Sequence, residues 1–357
     1  MGPLEYIYFL GYSLKKSRGL RAKKRLPAKV ISVGNLTVGG TGKTPAAMAI
    51  AEEALRRGYQ PCILTRGYRG KAEGPCFVTR GEGPLMSVDE AGDEASLMAE
   101  RLKGVPVVKG RDRYEAGIFA LRRLDPDFLQ RGSGVVFVLD DGFQHWRLVR
   151  DIDIVLIDAA NPFGNRKLLP SGRLREPLGE VGRADIIVIS KKPERNAGES
   201  GIPGPSRMDR LIDEIRDYNP GAPLYMAEHA ASGLRTLSGQ DLPLDTLSGR
   251  RVFAFCGLAN PASFRSTLER LKVLLAGDLL SFRDHVTYTP RHIRKIRREA
   301  LGRNVDWIVT TEKDIMKLKA MPVPQDLENT LVSLRIDFSV DTAFYETIFS
   351  AKAPQGA

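Results

Sequence analysis

A glycine-rich turn between an apolar run and a helical pattern constrains the fold of this chain more than any other feature. Residues 30–33 are largely apolar and β-branched, residues 37–44 read TVGGTGKT, and residues 43–57 follow a helical pattern that ends at Gly58. This order of strand, turn and helix is typical of loops in which main-chain N–H groups surround a polyphosphate. The sequence therefore predicts an α/β fold with a phosphate-binding loop.

The predicted loop has the residues that binding of a nucleoside triphosphate requires. Lys43 would reach the β- and γ-phosphate oxygens and the Thr44 hydroxyl would bind Mg²⁺, so we expect ATP with Mg²⁺. The usual pattern G-x-x-x-x-G-K-[ST] has Thr37 at its first glycine, and an ordinary glycine-rich turn is the alternative. The predicted nucleotide-binding residues are Thr37, Val38, Gly39, Gly40, Thr41, Gly42, Lys43 and Thr44.

Paired acids follow the strongest strand pattern in the chain. Residues 135–139 are a continuous apolar run, and Asp140 and Asp141 come directly after it. Because the carboxyl ends of parallel strands share the sheet edge at which a phosphate-binding loop lies, we expect one acid to bind the metal ion of the nucleotide. The alternative is that both acids merely open a turn before Gly142.

Further apolar runs alternate with helical patterns along the chain. Runs of strand length occupy residues 61–65, 152–157, 186–189, 252–256, 279–282 and 307–310, and helical patterns occupy residues 90–102, 111–124, 261–274 and 290–301. This alternation predicts a doubly wound, mostly parallel sheet with a second, smaller α/β domain. Residues 193–206 are rich in Gly, Pro and Ser, and we place a domain boundary a little beyond them. The predicted units are an N-terminal segment at residues 1–28, a core domain at residues 29–225 and a smaller domain at residues 226–357.

The first 25 residues combine an apolar stretch with a basic one. Residues 4–14 are rich in aliphatic and aromatic side chains, residues 15–25 are rich in Lys and Arg, and the whole chain has a formal net charge of +11. The apolar stretch is shorter than the roughly 20 residues of a membrane-spanning helix. One interpretation is an amphipathic helix that lies on an anionic membrane surface. The other is a helix that packs on its own domain and is followed by a solvated basic tail.

Asp93, His145 and His285 each have a structural and a functional interpretation. Asp93 begins a helical pattern, where an acid is most often a cap that accepts hydrogen bonds from main-chain N–H groups. His145 and His285 are two of four histidines, and a lone histidine is more often structural than catalytic. His285 is the better catalytic candidate because the adjacent Asp284 could orient and charge its ring.

Several short motifs lie in a distinctive order along the chain. They are VGNLTVGGTGKTP (33–45), TRGY (65–68), AGDE (91–94), DDGFQH (140–145), NPFGN (161–165), LLPSGRLREPL (168–178), GLANP (257–261), DH (284–285) and TTEKD (310–314). In this order they resemble the tetraacyldisaccharide 4'-kinase family, the lipid A 4'-kinases. The resemblance implies transfer of the γ-phosphate of ATP to the 4'-hydroxyl of a tetraacylated glucosamine disaccharide 1-phosphate, which forms lipid IVA. It also implies an anionic lipid and the membrane surface as partners, at the cytoplasmic face of the bacterial inner membrane.

The resemblance also implies roles for single residues. Asp93 would take the proton from the 4'-hydroxyl, paired with His285 of the smaller domain, and this role replaces the cap interpretation. Two domains that share such a pair would close around the lipid head group and ATP. The implied catalytic residues are Asp93, His285, Lys43, Asp140 and Asp141, and the implied metal-site residues are Thr44, Asp140, Glu176 and His145.

Three other function classes are disfavoured by the same residues. A partition-type ATPase would have a lysine at the position of Val38. A GTPase would read guanine with an N-K-x-D motif, but residues 190–193 read SKKP. A non-enzymatic binder of lipid or nucleic acid would leave the phosphate-binding loop and the paired acids unused, and we expect no nucleic acid as a partner.

Overall fold

The structure is a computed structural model that describes residues 2–124, 126–127, 134–190 and 206–350. The helices are α1 (Pro3–Arg21), α2 (Lys43–Arg56), α3 (Val88–Ala91), α4 (Asp93–Arg101), α5 (Arg113–Arg123), α6 (Arg207–Tyr218), α7 (Pro261–Arg270), α8 (Pro290–Leu301), α9 (Glu312–Lys319), α10 (Gln325–Glu328) and α11 (Thr342–Ser350). The strands are β1 (Lys29–Gly34), β2 (Gln60–Thr65), β3 (Cys76–Thr79), β4 (Val107–Lys109), β5 (Val135–Asp140), β6 (Ile152–Asp158), β7 (Ile186–Ser190), β8 (Leu224–Thr236), β9 (Asp241–Leu242), β10 (Arg251–Cys256), β11 (Leu274–Leu275), β12 (Leu280–Ser281), β13 (Trp307–Thr311) and β14 (Leu331–Val340).

These strands form one sheet. Their order across it is β11-β10-β13-β14-β8-β7-β6-β1-β5-β2-β4-β3, while β12 pairs with β10 and β9 pairs with β8 beside this path. The β3–β4, β8–β9 and β8–β14 pairs are antiparallel, and the other pairs are parallel. The predicted α/β fold with a mostly parallel sheet is therefore confirmed.

Helices cover both faces of the sheet, because alternate side chains of a strand point to opposite faces. Ile31 and Val33 of β1 lie in one buried cluster with α2 and α4, whereas Val30 lies in a second cluster with α5. In the other half of the sheet, Phe255 of β10 packs with α8, and Cys256 packs with α7. Strands buried on both faces explain why the sequence shows continuous apolar runs rather than alternation.

Strands β8 and β14 join the two halves of the sheet. β8 pairs in parallel with β7 over residues 224–227 and antiparallel with β14 over residues 227–236. The predicted boundary between residues 225 and 226 falls inside this strand. After β14 the chain returns to the first half, where Phe344 and Ile348 of α11 are buried in the same cluster as α2. The first half is thus completed by a helix from the end of the described chain.

Two predicted helices differ from those in the structure. The helical pattern at residues 90–102 is divided into α3 and α4 at Gly92, which has a φ of 92° and whose added Cβ would lie 2.4 Å from the Tyr68 carbonyl oxygen. The helix predicted to reach residue 274 ends at Arg270, because Lys272 has a left-handed φ of 56°. The Gly-, Pro- and Ser-rich segment lies outside the described residues except for Ser206, which caps α6.

Helix α1 is packed on one side and exposed on another. Tyr12 is buried, and the Tyr8 hydroxyl donates a hydrogen bond to the Arg175 carbonyl oxygen at 3.0 Å. Leu4, Ile7 and Leu14 share one face of the helix and are 62%, 65% and 59% exposed. Within the described ranges, no helix is both long and apolar enough to cross a bilayer. The helix therefore has one side packed on its own domain and an exposed apolar side.

Candidate active site

The phosphate-binding loop lies between β1 and α2. Gly39 and Gly42 have φ angles of 124° and 85°, a region in which glycine is favoured because it has no Cβ, and Gly42 is the N-cap of α2. The Lys43 ammonium donates to the Asn35 side-chain oxygen at 3.1 Å and to the Gly39 carbonyl oxygen at 3.5 Å. The lysine is therefore held against the loop at the positive end of the α2 dipole.

Flanking segments fix the path of the loop. The Val38 N–H donates to the Arg173 carbonyl oxygen at 2.8 Å, and the Arg173 guanidinium donates back to the Val38 carbonyl oxygen at 3.0 Å. The Ser190 hydroxyl at the end of β7 donates to the Thr41 carbonyl oxygen at 3.1 Å. Thr37 is buried, and its hydroxyl accepts a hydrogen bond from the Asn35 amide at 3.4 Å. Thr37 thus has a partner at the position that glycine usually occupies.

Asp140 ends β5 beside the first turn of α2. Its carboxylate accepts hydrogen bonds from the Thr44 hydroxyl at 3.5 Å and from the Thr65 hydroxyl at 3.4 Å. Burial, and then the neighbouring charge of Asp141, raise the pKa of Asp140 to about 6. The structure therefore places a buried acid with two hydroxyl neighbours at the sheet edge that the sequence predicted.

Asp141 has the opposite electrostatic environment. Burial acts to raise its pKa, but the charges of Lys43 and Arg175 outweigh burial and lower the pKa of Asp141 to about 2. The Lys43 ammonium lies 3.6 Å from the Asp141 carboxylate, and one Arg175 nitrogen donates to both of its oxygens at 2.8 and 2.9 Å. The two adjacent acids thus differ, since Asp141 pairs with fixed cations and Asp140 with hydroxyl groups.

Glu176 and His145 have their own partners near the loop. Glu176 is fully buried, and its carboxylate accepts hydrogen bonds from Arg183 at 2.6 Å, from Gln144 and from Tyr12 at 3.5 Å. The His145 side chain accepts a hydrogen bond from the Arg113 N–H at 3.3 Å, and burial lowers the pKa of His145 to about 4. In the part of the chain that the structure describes, no three His, Cys, Asp or Glu side chains form a cluster that could hold a metal ion. The structure therefore does not bring Asp140, Glu176 and His145 together around one point.

Asp93 and His285 are in direct contact. His285 Nδ1 lies 3.0 Å from Asp93 Oδ2, and the Lys317 ammonium lies 2.8 Å from the same oxygen. Burial acts to raise the pKa of Asp93, but these two hydrogen bonds lower it, and the hydrogen bond to Asp93 raises the pKa of His285. Asp93 does not cap α4, because the N-cap is Gly92 and makes no side-chain cap bond. The pair is assembled in this conformation, so no further domain closure is needed to form it.

The turn after β2 supports this pair from the side. The Tyr68 ring packs edge-on against the His285 ring with centroids 5.6 Å apart, and the Arg69 guanidinium donates to the His285 carbonyl oxygen at 3.1 Å. Gly92 lies against the Tyr68 backbone, as described above. The motifs TRGY, AGDE and DH therefore form one contact between the two halves of the chain.

One cleft of about 2460 Å³ joins the phosphate-binding loop, the paired acids Asp140 and Asp141, and His285. Its lining includes loop residues 38–44, Asp140, Asp141, His145, His285 and Lys313. It also includes Tyr8, Tyr12, Lys15 and Arg18 of α1. A molecule in this cleft can therefore contact the phosphate-binding loop, the second half of the chain and the N-terminal helix at the same time.

Sequence reasoning missed several side chains that contact the predicted residues. They are Asn35 and Thr65, which contact Lys43 and Asp140, Arg175, which pairs with Asp141, and Lys313 and Lys317, which pair with Glu94 and Asp93. Arg175 and Lys313 lie within the motifs LLPSGRLREPL and TTEKD, so these motifs were a signal for them. Lys317 lies outside any motif, and only the fold brings α9 to α4.

Taken together, the fold and the site define a class. A phosphate-binding loop between β1 and α2, a paired-acid strand end beside it, and a histidine in the same cleft that pairs with Asp93 are the parts of a P-loop phosphotransferase.

The chain belongs, within this class, to the tetraacyldisaccharide-1-P 4'-kinase family, and it is a kinase. The family model described as "LpxK: Tetraacyldisaccharide-1-P 4'-kinase" matches residues 1–353. The tetraacyldisaccharide 4'-kinase of Pelobacter propionicus is 41% identical over 301 residues, which cover 84% of this chain and 76% of the relative. That of Halothermothrix orenii is 37% identical over 343 residues, which cover 92% and 85%. The crystal structure of LpxK from Aquifex aeolicus in complex with ATP has a TM-score of 0.71 at 31% identity and covers 98% of this chain and 97% of that one. The resemblance seen in the motifs is confirmed.

Proposed function

We propose that this kinase transfers the γ-phosphate of ATP to the 4'-hydroxyl of a tetraacylated glucosamine disaccharide 1-phosphate. Its family membership supports the reaction, and the ATP complex of the Aquifex aeolicus relative supports the donor. The observation that carries the proposal is the single cleft in which Lys43, Thr44 and Asp140 share walls with His285. Donor and acceptor would meet there, between the loop and the Asp93–His285 pair.

The loop would bind the triphosphate through its main-chain N–H groups and the Lys43 ammonium. Lys43 is held by two neutral oxygens and by Asp141, and burial lowers the pKa of Lys43 while the charge of Asp141 opposes this effect. An ammonium in such a site is positioned before the substrate arrives, so little reorganisation is needed when charge develops on the phosphoryl group.

The residues around Asp140 fit a bound Mg²⁺. Asp140 is buried next to Asp141 and its pKa is raised to about 6, so a divalent cation at its carboxylate would relieve an unfavourable local charge. The Thr44 hydroxyl lies 3.5 Å from this carboxylate, and hydroxyl and carboxylate oxygens are ligands that Mg²⁺ prefers. We propose Thr44 and Asp140 as the residues that hold it. A bound Mg²⁺ would supply positive charge that offsets the negative charge of the triphosphate. Metal binding by Glu176 and His145 stays a prediction of the sequence.

Asp93 would accept the proton of the 4'-hydroxyl. Its Oδ2 atom is already in contact with His285 Nδ1 and the Lys317 ammonium, so Oδ1 is the atom left to contact the substrate. The lowered pKa of Asp93 keeps it a carboxylate at neutral pH, and His285 beside it has a raised pKa. A carboxylate that faces the attacking oxygen removes the proton as the bond to phosphorus forms, which is the assistance that a hydroxyl nucleophile needs.

The cleft also suits an anionic head group. Lys15 of α1 lies near Arg66 and Arg111, and partial burial, and then these two guanidinium groups, lower the pKa of Lys15. Like charges gathered in a cleft favour an anion, and a disaccharide 1-phosphate provides one. The exposed Leu4, Ile7 and Leu14 would lie among acyl chains of the membrane. We therefore propose that the enzyme acts while docked on the cytoplasmic face of the inner membrane, with its substrate's acyl chains left in the bilayer.

The proposal is tested by following labelled γ-phosphate from ATP into the disaccharide 1-phosphate lipid by thin-layer chromatography. Lys43→Ala should lower kcat by about 10² to 10³, because one charged donor to the transition state is lost. Lys103→Ala is the matched control, since Lys103 is exposed and lies outside the cleft lining. Labelled lipid formed by Lys43→Ala at the rate of Lys103→Ala would contradict the role of the loop.

A further inference from the structure

Oδ2 of Asp93 has two partners that come from different parts of the second half of the chain. His285 reaches it from the loop after β12 at 3.0 Å, and Lys317 reaches it from α9 at 2.8 Å. The side chains of Asp93 and Lys317 are only 16% and 11% exposed, so water competes weakly with this ion pair. A carboxylate with one oxygen held twice from different directions has little freedom to rotate.

This ion pair belongs to a set between α4 and α9. Lys313 pairs with Glu94 at 2.7 Å, and Lys319 pairs with Glu100 at 2.6 Å. Arg101 of α4 also pairs with Glu312 of α9 at 3.2 Å. Within this set, only the Lys317 pair includes Asp93, the proposed proton acceptor. The Lys319 pair joins the same two helices, and its carboxylate, Glu100, lies about two turns along α4 from Asp93.

We propose that Lys317 is a positioning residue for phosphoryl transfer, which together with His285 holds Oδ2 of Asp93 and so directs Oδ1 toward the substrate hydroxyl. This inference rests on the proposed role of Asp93 as proton acceptor. It adds that α9, in the half of the chain without the phosphate-binding loop, fixes the orientation of the acceptor. A carboxylate that rotates part-way or shifts from this position no longer directs its free oxygen at the hydroxyl, and the proton transfer loses its alignment.

The charges around Asp93 determine the sign of the expected pH effect. The titratable groups that face it or its partners are His285, Asp284, Lys317, Lys313, Glu94 and Tyr288. Lys317 favours the charged form of Asp93, whereas burial opposes it. Removal of the ammonium should therefore raise the pKa of Asp93. Since Asp93 must be a carboxylate to accept a proton, the acidic limb of the rate profile should move to higher pH.

The test compares Lys317→Met with Lys319→Met in the full-length enzyme. Both substitutions remove an ammonium of α9 that pairs with a carboxylate of α4, so a purely structural role predicts similar effects. We expect Lys317→Met to lower kcat by about tenfold or more, with the KM for ATP within about twofold, and to shift the acidic limb upward. We expect Lys319→Met to keep kcat within about twofold of the parent enzyme and to leave the acidic limb of the pH profile at the same pH. Lys317→Arg, which keeps the charge, should recover most of kcat.

The outcomes separate this inference from the proposed function. If Lys317→Met matches Lys319→Met in kcat and in pH profile, the positioning role of Lys317 is overturned. Asp93→Asn is measured alongside, and turnover within about threefold of the parent enzyme would overturn the role of Asp93 itself. Thermal unfolding of each variant identifies one that fails to fold. If that variant is Lys317→Met, Lys317→Gln replaces it, because it also removes the ammonium, and the same outcomes in kcat and pH profile decide.

Discussion

Replacement of Gly34 by alanine should separate the end of β1 from the turn that follows the paired acids. An added Cβ at Gly34 would lie 2.4 Å from the Phe143 Cβ and 2.8 Å from the Phe143 N, both well below ordinary contact distance. Phe143 is fully buried, and the Gly142 N–H donates to the Val33 carbonyl oxygen at 2.9 Å, so this turn has little room to retreat. The two backbones must therefore move apart by about 1 Å to accept the methyl group.

The expected cost has two parts. Overpacking of a buried site lowers the free energy of unfolding by about 1–3 kcal/mol. The displaced turn begins directly after Asp141, and a shift of about 1 Å between catalytic groups lowers the rate by about 10²-fold. Both quantities are measurable, the first from the urea midpoint and the second from kcat/KM for label transfer to the lipid.

Gly221→Ala is the matched control for this variant. A Cβ at Gly221 has no neighbour within 4 Å, and its φ is not left-handed. We expect this variant to keep the urea midpoint and the kcat/KM of the parent enzyme. If Gly34→Ala behaved in the same way, the contact between β1 and Phe143 would not be tight, and the reasoning that ties loop and acids together would be refuted.

Three further predictions concern other parts of the molecule. Phe344→Ala should lower the free energy of unfolding by about 3–5 kcal/mol, because Phe344 is fully buried, and an unchanged urea midpoint would contradict this. Burial lowers the pKa of His145 to about 4, so as the pH drops from about 6.5 to 4 the unfolded chain protonates this histidine before the folded chain does, and the free energy of unfolding falls. In His145→Asn the urea midpoint should therefore depend less on pH in that window. Ile7→Glu should weaken co-sedimentation with anionic vesicles more than Ser17→Glu does, while turnover of detergent-dispersed lipid is kept; equal weakening would argue against the apolar face as the docking surface.

The sequence predicted those parts of the fold that depend on local pattern. β1, the glycine-rich loop and α2 are contiguous, and a strand buried on both faces reads as an apolar run wherever it occurs. β8 was not recognisable in this way, because most of its side chains are exposed or half-buried and most of its residues are small or polar. The connection between the two halves of the sheet therefore became visible only in the structure.

The residues of the site also fall into two groups, those that a local sequence pattern indicates and those that only the fold brings together. Two local sequence patterns, the phosphate-binding loop and the paired acids, indicate a chemical role by themselves, and they contain Lys43, Thr44, Asp140 and Asp141. The structure brings these residues together. The local pattern at Asp93 favoured a helix cap, and only the resemblance to a family pointed elsewhere. Lys317 has no pattern at all, since its role depends on the packing of α9 against α4 and on no neighbour in sequence.

The return of α11 to the first half of the sheet has a consequence for biosynthesis. Phe344, Ile348 and Phe349 complete the apolar cluster that contains α2, and Phe349 stacks on Tyr59 with ring centroids 5.4 Å apart. A nascent chain that has already produced β1 to β8 still exposes this surface to water, and such surfaces bind chaperones or aggregate during translation. The ribosome must therefore add residues 342–350 before the nucleotide-binding half can reach its final stability, so truncation near the end of the chain should damage the half that was made first.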